Sequence, residues 1–86
     1  MNRPISDQLA YGHMYWDAIA PSWWRLSDRT SQDVIGHMRL DLISDAYITV
    51  GHQHDYHKTR KREQKIFDTK EQARLWVEQF AKENWL

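Results

Sequence analysis

The chain has 86 residues and a mass of 10.4 kDa, which allows one small domain over residues 1–86 and excludes barrel enzymes and two-domain active sites. Twelve basic residues balance twelve acidic ones, so no net field draws the protein toward nucleic acid or a membrane. A net charge near zero favours association, and a homodimer is one expectation.

Several function classes are excluded by residues and patterns that the sequence lacks. Cysteine does not occur, so there is no disulfide or cysteine zinc site, and a reducing cytoplasm is the expected location. No apolar run approaches the ~20 residues of a membrane span, and residues 1–5 lack the apolar core of a signal peptide. Three scattered glycines form no phosphate-binding loop, so we expect neither an enzyme nor a cofactor.

The first predicted element is a helix near the N-terminus. Ser6 or Asp7 is a suitable N-cap. Apolar residues recur at helical spacing after it: Leu9, Trp16 and Ile19. Pro21 ends this helix, since proline cannot continue one, or starts a short new turn. Residues 22–33 fit a strand, a helical turn or a packed loop, and these three alternatives stay open.

Three strands are predicted in the middle of the chain. From Gly36 apolar residues take every second position: Met38, Leu40 and Leu42. A helix over Ser31–Ile43 competes with this strand, but it would place Leu40 on the wet face. After a turn at Ser44–Asp45, the alternation continues in a second strand: Ala46, Ile48 and Val50. A third strand runs roughly from Arg60 to Phe67.

The last predicted element is a helix that starts at a capping box, formed by Thr69 and Gln72. Its apolar residues form one face: Ala73, Trp76, Val77, Phe80 and Ala81. The predicted fold class is therefore α+β, with an N-terminal helix, a three-stranded antiparallel sheet and a C-terminal helix packed on one sheet face.

Aromatic content is high for so short a chain, with five Trp and four Tyr. Most of these rings are expected in the core, because each can bury about 150–250 Å². Tryptophan is also a preferred anchor of protein interfaces. We therefore expect at least one Trp on the surface, with Trp23 and Trp24 as the candidates.

A histidine cluster carries one chemical hypothesis. His52, His54 and His57 lie within six residues, and alternate residues of an extended chain project to the same side. Imidazoles at this spacing can share a metal ion, which predicts a metal-stabilised interaction domain. The alternative is a polar connection between two strands.

A basic run after the histidines carries the second hypothesis. On a sheet surface it predicts a contact with phosphate or with an acidic protein face; the alternative is an edge strand that its charges protect from aggregation. Together with nearby aromatic residues it gives the predicted partner-binding set: Arg60, Lys61, Arg62, Lys65, Lys58, Trp23, Trp24 and Tyr56.

The segment from Arg60 to Trp76 is a basic strand, the residues Phe67-Asp68-Thr69-Lys70, and then a helix with Ala73 and Trp76. It resembles the closing strand and helix of the AP2-like, arm-site DNA-binding domains of phage-type integrases. That resemblance implies a three-stranded sheet inserted in the major groove. It also implies a set of DNA contacts: Arg39, Thr49, Arg60 and Arg62.

A compact, cysteine-free, aromatic-rich domain also resembles, by type, the small phage-encoded inhibitors of host defence, anti-CRISPR proteins among them. Such inhibitors occupy a surface with aromatic anchors and patterned charge. The resemblance implies a non-catalytic protein that blocks a host protein or ribonucleoprotein, such as a CRISPR surveillance complex, by steric occlusion. A DNA-binding module is the alternative.

Overall fold

The computed structural model describes residues 14–29, 31–53 and 60–85. These residues form a five-stranded antiparallel sheet in which neighbouring strands are consecutive in sequence, followed by one helix. The elements are β1 (Met14–Ala20), β2 (Trp23–Asp28), β3 (Val34–Asp41), β4 (Ala46–His52), β5 (Arg62–Phe67) and α1 (Lys70–Trp85).

The predicted fold class is wrong. Residues 14–20 form β1 rather than a helix, and the sheet has five strands rather than three. The physical reason is that β1 pairs with β2, while Met14 and Trp16 are both buried against α1. Pro21 therefore stands in a hairpin turn and does not end a helix. The predicted helix start near Ser6 lies outside the described residues.

The strands and the helix predicted after residue 36 do occur, as parts of this larger sheet and its helix. β3 and β4 take the positions of the first two predicted strands, so the competing helix over 31–43 is wrong. β5 begins at Arg62, two residues later than expected. α1 follows the predicted capping box, in which the N–H of Gln72 donates to Thr69 Oγ1 at 3.2 Å.

Helix α1 packs on one face of the sheet and buries a common core. The core residues of both layers are Met14, Trp16, Leu26, Ile35, Met38, Ala73, Val77 and Ala81. Two glycines let the helix come close, because an added Cβ would lie 3.0 Å from Val77 Cγ1 at Gly36 and 2.6 Å from a ring carbon of Phe80 at Gly51. The distance between sheet and helix is thus set by the absence of two side chains.

The opposite face of the sheet, here called the distal face, follows from the strand register. Residues paired with Gly36 and Met38 lie on the α1 side, so their neighbours along each strand lie on the distal side. The distal residues used below are Asp17, Trp23, Arg25, His37, Arg39, Ile48, Val50, His52, Arg62, Gln64 and Ile66. In β4 the α1 side holds Thr49 and Gly51, so the more apolar residues Ile48 and Val50 face away from the helix.

Candidate functional site

Three aromatic rings form a line across the distal face. The rings of Trp23 and His37 are 6.0 Å apart, and those of His37 and His52 are 5.7 Å apart with an edge-on geometry. Trp23 keeps 41% of its surface exposed, so this line ends on an exposed tryptophan. The prediction that at least one Trp lies partly on the surface is confirmed.

His37 is the buried centre of this line. Its Nδ1 atom is buried and has no hydrogen-bond partner in the described part of the chain. Burial lowers the pKa of His37 to about 4, with smaller contributions in the same direction from His52, Arg39 and Arg62. Burial also lowers the pKa of His52, against the opposing effect of the Val34 carbonyl, which lies 3.3 Å from His52 Nδ1. Both rings are therefore neutral at pH 7.

The low pKa of His37 predicts a protein that loses stability on acidification. Its pKa falls from 6.5 in the unfolded chain to about 4 in the fold, so the unfolded state binds more protons between these values. The free energy of unfolding is then highest above pH 6.5 and decreases as the pH falls toward 4. Because His37 is only partly buried, solvent screening limits the loss to about 1–2 kcal/mol. Urea unfolding at a series of pH values measures it.

The control variant for this pH dependence is His37→Phe. Phenylalanine keeps a ring between Trp23 and His52, removes the unpartnered Nδ1 atom and cannot titrate. The free energy of unfolding of the variant should depend less on pH over the same interval, with a smaller slope remaining from His52. If wild type and variant lose the same free energy between pH 6.5 and 4, His37 does not control the acid response.

A row of side chains crosses the distal face close to the hairpin turns. Trp23 is paired with Arg39, Arg39 with Ile48, and Ile48 with Ile66, so these residues follow one another across four strands. Adjacent strands are about 4.8 Å apart, so side chains that are neighbours in this row contact each other. Ile66 is 62% exposed. The row is an apolar stripe with one arginine in it.

The apolar surface continues from this row onto the β3–β4 turn. Leu42 is 79% exposed and Ile43 is 97% exposed at the tip of that turn. A shallow groove of about 560 Å³ lies between Leu42 and Trp23; its walls are Pro21, Ser22, Trp23, Arg39, Leu40 and Leu42. We call Trp23, Arg39, Leu42 and Ile43 the hairpin-end patch.

Local hydrogen bonds hold the two turns that carry the patch. The carbonyl of Ser22, a residue with φ of 64°, accepts from the N–H of Leu40 at 2.9 Å and ties the β1–β2 turn to β3. In the β3–β4 turn the carboxylate of Asp41 accepts from the N–H of Ile43 at 3.1 Å and from the Ser44 hydroxyl at 3.0 Å. These bonds lower the pKa of Asp41. The exposed leucine and isoleucine thus sit on a turn with a defined conformation.

The two arginines near the patch differ in their partners. Arg25 Nη2 lies 2.8 Å from Asp17 Oδ2, and this hydrogen bond with the carboxylate raises the pKa of Arg25. Arg39 is exposed and forms no salt bridge with any described residue, although its charge contributes to lowering the pKa of nearby Asp41. Arg39 is therefore the charge in the patch that is available to a partner.

The predicted basic surface is divided by the structure. Arg60 and Lys61 precede β5, and Arg60 has a φ of 59°. Arg62 lies on the distal face beside His52, whereas Lys65 lies on the α1 side opposite Thr49. All four are exposed, but they do not form one face. The structure places β5 at one edge of the described sheet.

The DNA contacts implied by the integrase resemblance are also separated. Arg39 and Arg62 share the distal face, with β4 between their strands. Thr49 is fully buried on the α1 side, where its hydroxyl donates to the Lys65 carbonyl at 2.8 Å. Thr49 is therefore unavailable to a nucleic acid, and Arg60 lies outside the sheet.

The two adjacent tryptophans lie on opposite faces. Trp23 belongs to the hairpin-end patch, whereas Trp24 packs toward α1, with its ring 6.5 Å from that of Tyr47. The ammonium of Lys70 lies 4.0 Å from the centre of the Trp24 ring. Trp24 thus packs the start of the helix against the sheet. Of these two tryptophans, Trp23 is the one on the face that a partner could contact.

The remaining predicted residues, Lys58, Tyr56, His54 and His57, lie outside the described residues. The described ranges contain no group of three histidine or carboxylate side chains arranged to hold a metal ion. His52, the one described member of the predicted metal set, instead packs edge-on against His37. Within those same ranges, no helix is both long enough and apolar enough to cross a membrane.

Sequence reasoning does not identify Leu42 and Ile43 as surface residues, and it groups Trp23 with the basic run of residues 58–65 and not with Arg39. The missing signal is the pairing of β2 with β3, which puts Trp23 opposite Arg39. Comparison with known proteins gave no match to a family model, a curated protein or a solved structure.

Proposed function

We propose that this protein is a non-catalytic binding protein that contacts a macromolecular partner through the hairpin-end patch, in the manner of a small inhibitor that occludes a host complex. The observation that carries the proposal is the exposed Trp23 opposite Arg39, which is exposed as well. Tryptophan and arginine are the residues most enriched at the energetic centres of protein interfaces. The inhibitor role comes from the resemblance by type to phage-encoded inhibitors.

The composition of the patch favours a protein partner over a nucleic acid. Three of its four residues are apolar, and Leu42 and Ile43 together give two large side chains that are 79% and 97% exposed. Exposed apolar groups that lie together are characteristic of protein interaction sites. A phosphate-contacting surface instead needs several cations in line, and here Arg39 is followed across the sheet by Ile48 and Ile66.

The proposal predicts that partner capture depends on the patch. Protein immobilised at its C-terminus and exposed to bacterial lysate should retain a partner that Trp23→Ala loses, with affinity at least about tenfold weaker, as for an interface anchor. The double variant Leu42→Ser, Ile43→Ser should lose the same partner, and it removes side chains that carry little of the fold, since both are exposed in a turn.

The matched control for this capture is Leu75→Ser, which removes another exposed leucine from the outer side of α1. It should retain the partner at the wild-type level. Equal losses in Leu75→Ser and in the patch variants would mean that retention is non-specific adsorption to apolar surface. Unchanged capture by both patch variants would show that the partner binds elsewhere and would refute the proposed site.

DNA binding is the second candidate, and the exposed Arg39 and Arg62 on one face are the observation in its favour. Fluorescence anisotropy of labelled duplex and single-stranded DNA, at low and at physiological salt, separates the two candidates. We expect no binding at either salt concentration. Tight binding that weakens steeply with salt, and that Arg39→Ala and Arg62→Ala reduce for every sequence, would replace the protein-partner proposal.

A further inference from the structure

We propose that β5 is a homodimer interface, in which two copies of the chain pair their β5 strands antiparallel and continue the sheet from one copy into the next. β5 forms one edge of the described sheet, and five of its six residues are exposed. An edge strand presents unpaired N–H and C=O groups that another strand can bond. This proposal does not depend on the hairpin-end patch, which lies on β2, β3 and the β3–β4 turn.

The hydrogen bonds to β4 show which residues of β5 point outward. Lys65 faces Thr49, and its carbonyl accepts from the Thr49 hydroxyl at 2.8 Å, so the Lys65 carbonyl points toward β4. The carbonyl of Lys61 likewise accepts from the N–H of Gln53 at 3.0 Å. Backbone direction alternates along a strand, so the residues between these have their N–H and C=O groups at the free edge. The outward-bonding residues are Arg62, Gln64 and Ile66.

This alternation limits the registers in which two β5 strands can pair. A symmetric antiparallel pair must match outward-bonding residues with outward-bonding residues. One residue of β5 therefore faces its own copy, and the two-fold axis lies midway between those two copies. An axis at Glu63 would put two glutamates opposite each other, and an axis at Lys65 would oppose two lysines. An axis at Gln64 opposes glutamine to glutamine, which carries no repulsion.

The register centred on Gln64 is also the one with complementary charges. It places Glu63 opposite Lys65 of the second copy, and Lys65 opposite Glu63 of the second copy. These are non-hydrogen-bonded pairs, in which opposed side chains come closest, with Cα atoms about 4.5 Å apart. On the distal side, the aliphatic part of Arg62 covers Ile66 of the second copy, which is 62% exposed in a single chain.

Helix α1 leaves room for this pairing. Glu63 and Lys65 lie on the α1 side of the sheet but remain exposed, so the helix does not cover the outer half of β5. The net charge of zero adds no long-range repulsion between copies. A single pair of six-residue strands buries a small area, so we expect a dimer that dissociates on dilution.

Charge exchange at the two opposed positions tests the register. Sedimentation velocity over a concentration series should show a reversible dimer for the wild type and loss of the dimer for Glu63→Lys and for Lys65→Glu. The double variant Glu63→Lys, Lys65→Glu restores opposite charges across the axis and should restore the dimer. A wild type that stays monomeric at the highest concentration, or a double variant that stays monomeric beside a dimeric wild type, would overturn the proposal.

A single introduced cysteine tests the axis independently, because the chain has none of its own. Gln64 faces itself across the axis at a Cα separation of about 5.5 Å, which lies within the range of a disulfide. Gln64→Cys should therefore form a disulfide-linked dimer on mild oxidation. Gln79→Cys, on the exposed side of α1, is the matched control and should stay monomeric. Equal cross-linking of both variants would show random collision and contradict the β5 interface.

Discussion

Replacing Gly51 with alanine is expected to lower the free energy of unfolding by about 2–3 kcal/mol, as overpacking of a well-packed core does. An added Cβ would lie 2.6–2.8 Å from three ring carbons of Phe80, closer than such atoms approach. Either α1 must move away from the sheet or the Phe80 ring must leave its position. Urea unfolding followed by tryptophan fluorescence measures the change.

A second substitution shows whether the clash with Phe80 is the cause. Phe80→Ala removes all three ring carbons that meet the new methyl group, so the double variant should lose less stability than the sum of the two single variants. Gly36→Ala provides the contrast, because its Cβ would lie 2.5 Å from the carbonyl oxygen of Val50, which no side-chain substitution can remove. Additive losses for Gly51→Ala and Phe80→Ala would mean that the helix is not held at this distance by Gly51.

The part of the fold that sequence predicts is the part with local signals. β3 and β4 alternate with a period of two, and the capping box at Thr69 marks the start of α1. These patterns depend only on residues that are close together in sequence, so they can be recognised without knowledge of the tertiary structure. β1 escapes prediction because Trp16 and Ile19 also fit helical spacing, and only pairing with β2 decides between the two periods.

The faces of β4 show a second limit of sequence patterns. The alternation of apolar residues locates this strand. A ranking of its residues by hydrophobicity, however, would predict that Ile48 and Val50 face the helix. The structure turns Thr49 and Gly51 there instead, since Gly51 is the position that admits the ring of Phe80. How closely a helix can approach a strand depends on the size of the strand's side chains, and hydrophobicity does not report that size.

The candidate site is partly predictable for a related reason. Two consecutive residues of a strand point to opposite faces, so a strand over Trp23-Trp24 requires one of them to face away from α1. Sequence does not say which, and it does not bring Arg39 next to Trp23. The basic run suggests one surface because its charges are adjacent in sequence, yet alternation in β5 sends Arg62 and Lys65 to opposite faces.

Glu78→Ala, which removes a buried carboxylate, is the second substitution for which we expect a large loss of stability. Glu78 is only 8% exposed, and its Oε2 atom accepts from Trp16 Nε1 at 2.8 Å and from Arg74 Nε at 2.9 Å. Glu78→Ala leaves the buried indole N–H without a partner and leaves Arg74 without this carboxylate. The cost of such unsatisfied groups predicts a loss of about 2–3 kcal/mol in the free energy of unfolding.

Two further variants separate the hydrogen bond from the packing of the Glu78 side chain. Glu78→Gln keeps the shape and a carbonyl acceptor for Trp16, so it should cost less than about half as much as Glu78→Ala. Trp16→Phe removes the donor, and in that background Glu78→Ala should cost less than it does in the wild type. The double-mutant cycle is measured by urea unfolding. Equal costs of Glu78→Ala in the wild-type and Trp16→Phe backgrounds would show that the bond joining β1 to α1 adds nothing to stability.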